Sequence, residues 1–380
     1  MKKIIALILI LLLLPCAFAE TQLYAVNVGK GDAILIQTDG HAVLIDTGYL
    51  HSRGKILAAL RHLGITELDA VFITHTDTDH TEGLEWLAES EIPVGTWYAS
   101  AYFTDVKEKK HPAVQAAKAR GQEVTWLQAG DRVTLGSAVF NVLAPSQLSE
   151  DKDNNNSLVM MLESADGRIL LTGDMELPEE TILLNSGADL SCDVLKVANH
   201  ADDDTTGEAF VRAANPKLSI ISTDSYEKPS TPDPQVLARL QLVNTDFAFT
   251  QDSAGGVLVT LTNGSIAANG IDLPAANADI QIESVIPDDD KIVIANRGSE
   301  NIDLSDWYLV TERKGNWFVF PEVTTLAAGE TITLGSKSTS GEYDLLWEDK
   351  KVIHKSKADA VTLYDANGMT VSTLESEIEQ

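Results

Sequence analysis

The sequence predicts a layered α/β domain followed by a smaller all-β sandwich. Two observations carry that reading. Between residues 22 and 268, short apolar or alternating runs, the spacing of strands, interleave with segments of helical spacing. Beyond Gly270–Asn277 helical spacing stops, and short strand-like runs recur between Gly, Asp and Ser turns. The 380 residues suffice for a leader and two domains.

Element by element, strands are expected at Leu23–Val28, Ala33–Gln37 and Ala42–Ile45. A helix from Gly54 to Leu63 stops at Gly64, a residue suited to the left-handed turn after a helix. The buried run Ala70–Thr74 is a strand. Pro112 favours the first turn of a helix over His111–Ala119. Strands follow at Glu123–Leu127, Ala138–Leu143, Leu158–Leu162 and Arg168–Leu171. Helices over Pro178–Asn185 and Gly207–Ala214 then alternate with strands at Val194–Val197 and Leu218–Ile221, before a last helix, Pro234–Leu242, and a last strand, Gly256–Leu261. The linker is expected at 270–277. The second domain, 278–376, has strands at Ile280–Ser284, Lys291–Asn296, Trp307–Thr311, Trp317–Phe320, Thr331–Leu334 and Ala360–Tyr364. Trp307, Phe318, Phe320 and Trp347 read as its core.

The amino terminus has the layout of an export signal. Met1–Lys3 is basic, Ile4–Leu14 is apolar, and Ala17-Phe18-Ala19 offers small residues for cleavage. A leader over 1–19 implies a secreted chain, with no further segment apolar enough to span a bilayer. Cys192 is then the one cysteine left, so no internal disulfide forms; it reads as a buried small hydrophobe. Formal charge is −29 and becomes −31 when Lys2 and Lys3 leave with the leader. Such a surface argues against tight, general binding of a phosphate backbone, which needs clustered Lys and Arg. The acidic run Asp288–Asp290 reads as a solvated loop.

The densest chemistry is His75-Thr76-Asp77-Thr78-Asp79-His80, directly after the Ala70–Thr74 strand. Imidazole nitrogens and carboxylate oxygens suit divalent cations. At an extended strand end alternate side chains share a face. His75, Asp77 and Asp79 therefore converge, and His80 joins them where the chain turns into a helix, read over Thr81–Leu87. This is a metal site.

The segment resembles the second motif of the metallo-β-lactamase superfamily, usually His-x-His-x-Asp-His, with Asp77 in place of the middle His. That exchange is similar to the branch containing the hydrolase domain of ComEC-type DNA-uptake channels. Other segments agree in order: the glycine-rich Val26–Ala33, Val43–Gly48 with Asp46, Asn154–Val159, Leu170–Met175 with Asp174, and Val194–His200. Two places depart from the branch: Asn199 replaces a first His, and Thr231 replaces the imidazole of a Gly-His-Pro segment. The resemblance implies an αββα sandwich over residues 20–269. The segments Val293–Ser299, Ile302–Trp307, Leu326–Glu330 and Val361–Asp365 resemble the lamin-tail domain, an immunoglobulin-like sandwich.

From the resemblance, two divalent ions, zinc or manganese, are bound by His75, Asp77, Asp79, His80, Asp174 and His200. Asp174 is the bridge and, with Asp79, a catalytic carboxylate. His75 and Asp77 face one ion, Asp79 and His80 the other. Asp77 adds anionic oxygen and tilts the site toward harder ions such as manganese. Asp46 orients ligands from behind. Asn155, Asn156 and Ser157 either bind an anionic substrate or are turn and strand-start residues. Lys30, Arg53 and Lys55 are expected to flank the cleft. The implied function is a secreted metal-dependent hydrolase cleaving a phosphodiester, with extracellular DNA the favoured substrate, through a metal-activated water. One alternative is a phosphoesterase for a small or cell-wall phosphodiester. Another is a non-catalytic binding protein with a degenerate hydrolase domain. The lamin-tail domain is expected to be a separable module, available to a cell-surface or envelope partner.

Overall fold

The computed structural model describes residues 20–377; the leader expected at 1–19 lies outside the described residues. In chain order the first domain contributes β1 (Thr21–Val26), β2 (Ile34–Thr38), β3 (His41–Ile45), β4 (Leu68–Ile73), β5 (Val94–Ser100) and β6 (Val124–Leu127). Next come β7 (Arg132–Leu135), β8 (Ala138–Ala144), β9 (Val159–Glu163), β10 (Arg168–Leu171), β11 (Val194–Lys196), β12 (Leu218–Ile221) and β13 (Asp246–Phe249). A final hairpin adds β14 (Gly256–Thr262) and β15 (Ser265–Ile271). They form an eight-stranded sheet, β15-β14-β1-β2-β3-β4-β5-β6, and a seven-stranded sheet, β13-β12-β11-β10-β9-β8-β7. Each sheet changes from antiparallel to parallel pairing partway across, at β3/β4 in the first and at β10/β11 in the second.

Two-residue alternation explains the layering. In β1, Leu23 and Ala25 enter the core between the sheets, while Tyr24 and Val26 enter a second core under the helices. Both faces are covered, so the strands read as nearly continuous apolar runs. Helices Arg53–Leu63, Leu84–Glu89 and Pro112–Ala119 cover the first sheet. Leu177–Ser186, Glu208–Ala214 and Pro234–Gln241 cover the second. The result is helix, sheet, sheet, helix. Phe72 ties the middle layers together, stacking on Tyr98 at 4.8 Å and on Phe140 of the opposite sheet at 5.1 Å. Phe72→Ala would remove about 3–5 kcal/mol by leaving a cavity there.

The second domain packs two four-stranded sheets: Ile280–Ile286, Lys291–Asn296, Thr331–Ser336 and Leu345–Trp347 in one, Trp317–Val319, Tyr308–Thr311, Ala360–Tyr364 and Thr370–Glu375 in the other. Trp307, Phe320 and Trp347 are buried in its core and Phe318 packs against it. Asp290, expected to be solvated, is buried: its carboxylate accepts hydrogen bonds from Ser336, Val352 and Ile353 and organises that loop.

This domain is seated on the first, against the expectation of a freely separable module. Tyr308 donates to His51 O at 2.6 Å and accepts from Gly54 N at 3.2 Å. Gly54 and Gly368 bring their backbones so close that a Cβ on Gly54 would strike the Gly368 nitrogen. Arg53 and Lys55 therefore do not flank the cleft: Arg53 bonds Asp306 across the interface, and Lys55 packs on Gly368.

Candidate metal centre

The site lies where loops leave the ends of strands in both sheets. After β4 the chain stays extended through Asp77 (φ −64°, ψ 150°) and then makes one helical turn, Thr78–Thr81. That turn carries Asp79 and His80 inward. The helix read over Thr81–Leu87 is broken at Gly83 and resumes at Leu84. From the second sheet, the loop after β10 delivers Asp174 and the loop after β11 delivers His200.

Three imidazoles are oriented by the same device. Asp46 Oδ2 accepts from His80 Nδ1 at 2.8 Å and from the Thr74 hydroxyl at 2.7 Å, and Oδ1 accepts from Thr74 N at 2.8 Å. Because the Thr74 hydroxyl donates to Asp46, its oxygen is left to accept from His75 Nδ1, 3.0 Å away. His200 Nδ1 donates to the Ser222 carbonyl at 2.9 Å. Every Nδ1 thus points outward to an acceptor, and every Nε2 turns inward as the nitrogen left to face a cation. Those Nε2 atoms of His75, His80 and His200, with Asp174 Oδ1, are buried and lack hydrogen-bond partners. Buried polar atoms are rarely left so. Four converging orphans of ligand type fit a cation.

Asp174 is the hinge of the cluster. Its Oδ2 lies 3.2 Å from His80 Nε2 and 3.1 Å from His200 Nε2. Its backbone nitrogen donates to Ser157 Oγ at 3.1 Å. Gly173 beside it has φ +50°, and a Cβ there would meet Ser157 at 2.9 Å, so the loop needs glycine. His200 Nε2 is also 3.6 Å from Asp79 Oδ2. Ligand atoms of Asp79, His80, Asp174 and His200 lie within 4.8 Å of one another. On the other side His75 Nε2 faces Asp77 Oδ2 at 3.6 Å, with the His75 and His80 rings 4.2 Å apart. A further group, Asp32, Asp46 and His80, also converges. There the Lys196 ammonium already sits 2.7 Å from Asp32 Oδ2.

The local field attracts positive charge. Burial opposes a charge on His80, yet Asp174 and Asp46 overcome it and raise its pKa well above the usual imidazole value. Burial likewise opposes ionisation of Asp174, and His200 and His80 outweigh it, holding the carboxyl well below the usual range. Backbone strain is concentrated here too. Asp46 has φ +56°, and Asn199, His200 and Ala201 have φ of +42°, +56° and +64° in succession. Such conformations cost roughly 1–3 kcal/mol each for non-glycine residues and survive only where surroundings impose them.

Other expected residues find different partners. Asn155 pairs with Glu176 through both its amide nitrogen and its oxygen, and Asn156 bonds Ser149 and Asp153. These two hold the turn, while Ser157 supports Asp174. Thr231 is buried and its hydroxyl accepts from Thr223 at 3.0 Å, fixing a loop. Sequence reasoning passed over Asp32, Lys196, Ser222 and Asp153. Asp153 accepts from Thr76 N at 3.0 Å and Thr104 N at 2.8 Å, bracing the ligand loop. The signal for Lys196 was available: a cation inside the buried run Val194–Val197 demands an anion.

Comparison with known proteins identifies both domains. The Metallo-beta-lactamase superfamily model matches residues 26–225, and the Lamin Tail Domain model matches residues 274–377. ComE operon protein 3 of Bacillus subtilis (strain 168) is 29% identical over 250 residues, 61% of this chain and 32% of the relative. Competence protein ComA of Neisseria gonorrhoeae is 25% identical over 209 residues, 54% of this chain and 28% of the relative. The matched part is thus about a third or less of the length of these curated relatives. Among solved structures, the metallo-beta-lactamase fold protein YhfI from Bacillus subtilis superposes with a TM-score of 0.41 at 13% identity, covering 66% of this chain and 100% of that one. With the αββα layers, the ordered ligand loops and the family match in agreement, the chain belongs to the metallo-β-lactamase superfamily and carries a lamin tail domain behind its catalytic-type fold.

Proposed function

We propose that this protein is a metal-dependent phosphodiesterase acting outside the cell, with nucleic acid as the substrate class. The carrying observation is the convergence of three inward Nε2 atoms and Asp174 Oδ1, all buried and without partners. In this reading His75, Asp77 and Asp174 hold one divalent ion, and Asp79, His80, Asp174 and His200 hold the second. Bound ions would supply a hydrolytic nucleophile from water near neutral pH and offset the charge of a phosphodiester. The chain's own part is orientation: Asp46 fixes His80, Thr74 fixes His75, and Ser222 fixes His200. Asp77 in an imidazole position supports manganese over zinc. The competence-protein names of the relatives support a nucleic-acid substrate, and Met1–Ala19 supports export.

A second reading, a small phosphodiester, is favoured by the charge of −29. The test compares a DNA oligonucleotide with a small chromogenic phosphodiester, using protein loaded with manganese or zinc. Cleavage of the oligonucleotide supports the first reading, and cleavage of the small ester alone supports the second. No cleavage of either by fully loaded protein would sink both.

A further inference from the structure

Asp32 is the residue on which the two halves of the second ion position meet. Its carboxylate is buried and shared: Oδ2 pairs with Lys196 Nζ at 2.7 Å, and Oδ1 accepts from the Ser222 hydroxyl. Its backbone is shared as well, with its nitrogen donating to Asp79 O at 3.1 Å and its oxygen accepting from Gly48 N at 2.8 Å. Ser222 in turn holds His200 Nδ1, through its carbonyl at 2.9 Å and its hydroxyl at 3.1 Å. Lys196 ends β11, the strand that leads into the left-handed backbone at Asn199–Ala201, and its ammonium also donates to Val197 O at 3.0 Å. Asp79 and His200 come from different sheets. Apart from the bond to Gly48, every link from Asp32 therefore runs to a segment that carries or holds one or the other.

We propose that Asp32, acting with Lys196 and Ser222, is a positioning residue for the second ion, setting the separation of Asp79 from His200. This inference rests on the two-ion reading above but not on the identity of the substrate. A buried ion pair is an expensive way to stabilise a fold, and an apolar pair of similar size often serves as well. What the charged pair adds is direction. Lys196 anchors Asp32 so that its remaining oxygen holds the Ser222 hydroxyl, and a strained loop is fixed at the distance a ligand requires.

The test is metal stoichiometry in the full chain, measured by titrating metal-free protein with manganese and, separately, with cobalt, whose absorption reports each position's ligands. Three proteins are compared: wild type, Ser222→Ala, and the double variant Asp32→Asn/Lys196→Met, which removes both charges together. Ser222→Ala is the milder change and decides the matter if the double variant does not fold. The expected result is a first equivalent bound as in wild type and a second weakened about 10–100-fold, the range seen when groups behind a ligand are lost. Ser222→Thr, which keeps the hydroxyl, should restore the second equivalent. Two undiminished equivalents in folded Ser222→Ala would overturn the proposal, and so would a wild-type protein that binds a single ion. A wild type that binds two ions and cleaves no phosphodiester sinks the substrate reading and leaves this one standing.

Discussion

The imidazole of His51 lies parallel to the phenol of Tyr364, with ring centroids 6.0 Å apart and planes 10° apart, although the two residues belong to different domains. Tyr49 continues the stack on one side at 5.2 Å and Tyr308 on the other at 5.0 Å. Tyr49 stands beside the metal centre: burial first, then the carboxylates of Asp79 and Glu82, push its hydroxyl pKa upward. A row of four rings thus joins the mouth of the site to the lamin tail domain.

Tyr308→Phe should loosen that joint. It removes the bonds to His51 O and Gly54 N, with an expected loss of about 1–3 kcal/mol. Hydrogen exchange should accelerate at the Gly54 amide. Unchanged protection there would show that the domain is held by other contacts. By the same reasoning a chain ending near Gly270, which also cuts β15, should lose activity on small and long phosphodiesters alike.

Asp174→Asn keeps the volume of the side chain and removes the anion between His80 and His200. Phosphodiester cleavage should fall by more than about 100-fold, in the range of a lost electrostatic contact at a reacting centre. Bound metal should fall with it while circular dichroism stays native. A variant that keeps its metal and its rate would refute the bridging role.

Asp77→His restores the imidazole usual in the superfamily. Replacing a hard oxygen with a borderline nitrogen should shift preference toward zinc. Competition between manganese and zinc, read by elemental analysis, measures the shift; an unaltered ratio would mean that Asp77 is not a ligand.

Glu179 offers a pH test away from the metals. It is buried with Oε1 unpartnered, and burial raises its pKa from 4.5 to about 7. A carboxyl raised on folding stabilises fully below its unfolded pKa, and that contribution is lost as pH rises through the folded value. Wild-type stability should therefore decline between pH 4.5 and about 7 on account of this group. Glu179→Gln cannot ionise, so its denaturation midpoint should exceed wild type at pH 8 and fall back toward it at pH 5. Equal differences at both pH values would mean that Glu179 is ionised throughout.

Much of this was legible in the sequence where burial dominates. Arg168–Leu171, Leu218–Ile221, Lys291–Asn296 and Ala360–Tyr364 lie where apolar patterning puts them. β5, which holds Gly95, gave a weaker signal, and β15 is an edge strand with mostly exposed residues, so Ser265–Ile271 carries little strand signal and its last two residues fall in the linker expected at 270–277. The ligand residues stand out because His and Asp so dense after a strand have few other uses. Asp32 and Ser222 do not stand out, because nothing in one dimension shows that residues 190 positions apart share a hydrogen bond. Asp290 misled for the opposite reason: one member of an acidic run turned inward to bind backbone nitrogens.

The pairing of β1 with β14 has a consequence for biosynthesis. Thr21–Val26 aligns with Leu261–Gly256, so the first strand made must wait for one near the end of the same domain. Until residue 262 has left the ribosome, β1 presents an open row of backbone donors and acceptors in a sheet that is otherwise ready to form. Open edges of that kind invite pairing with other chains. Under the export reading proposed above, the delay keeps the domain extended enough to be threaded, and it closes once its hairpin arrives on the far side.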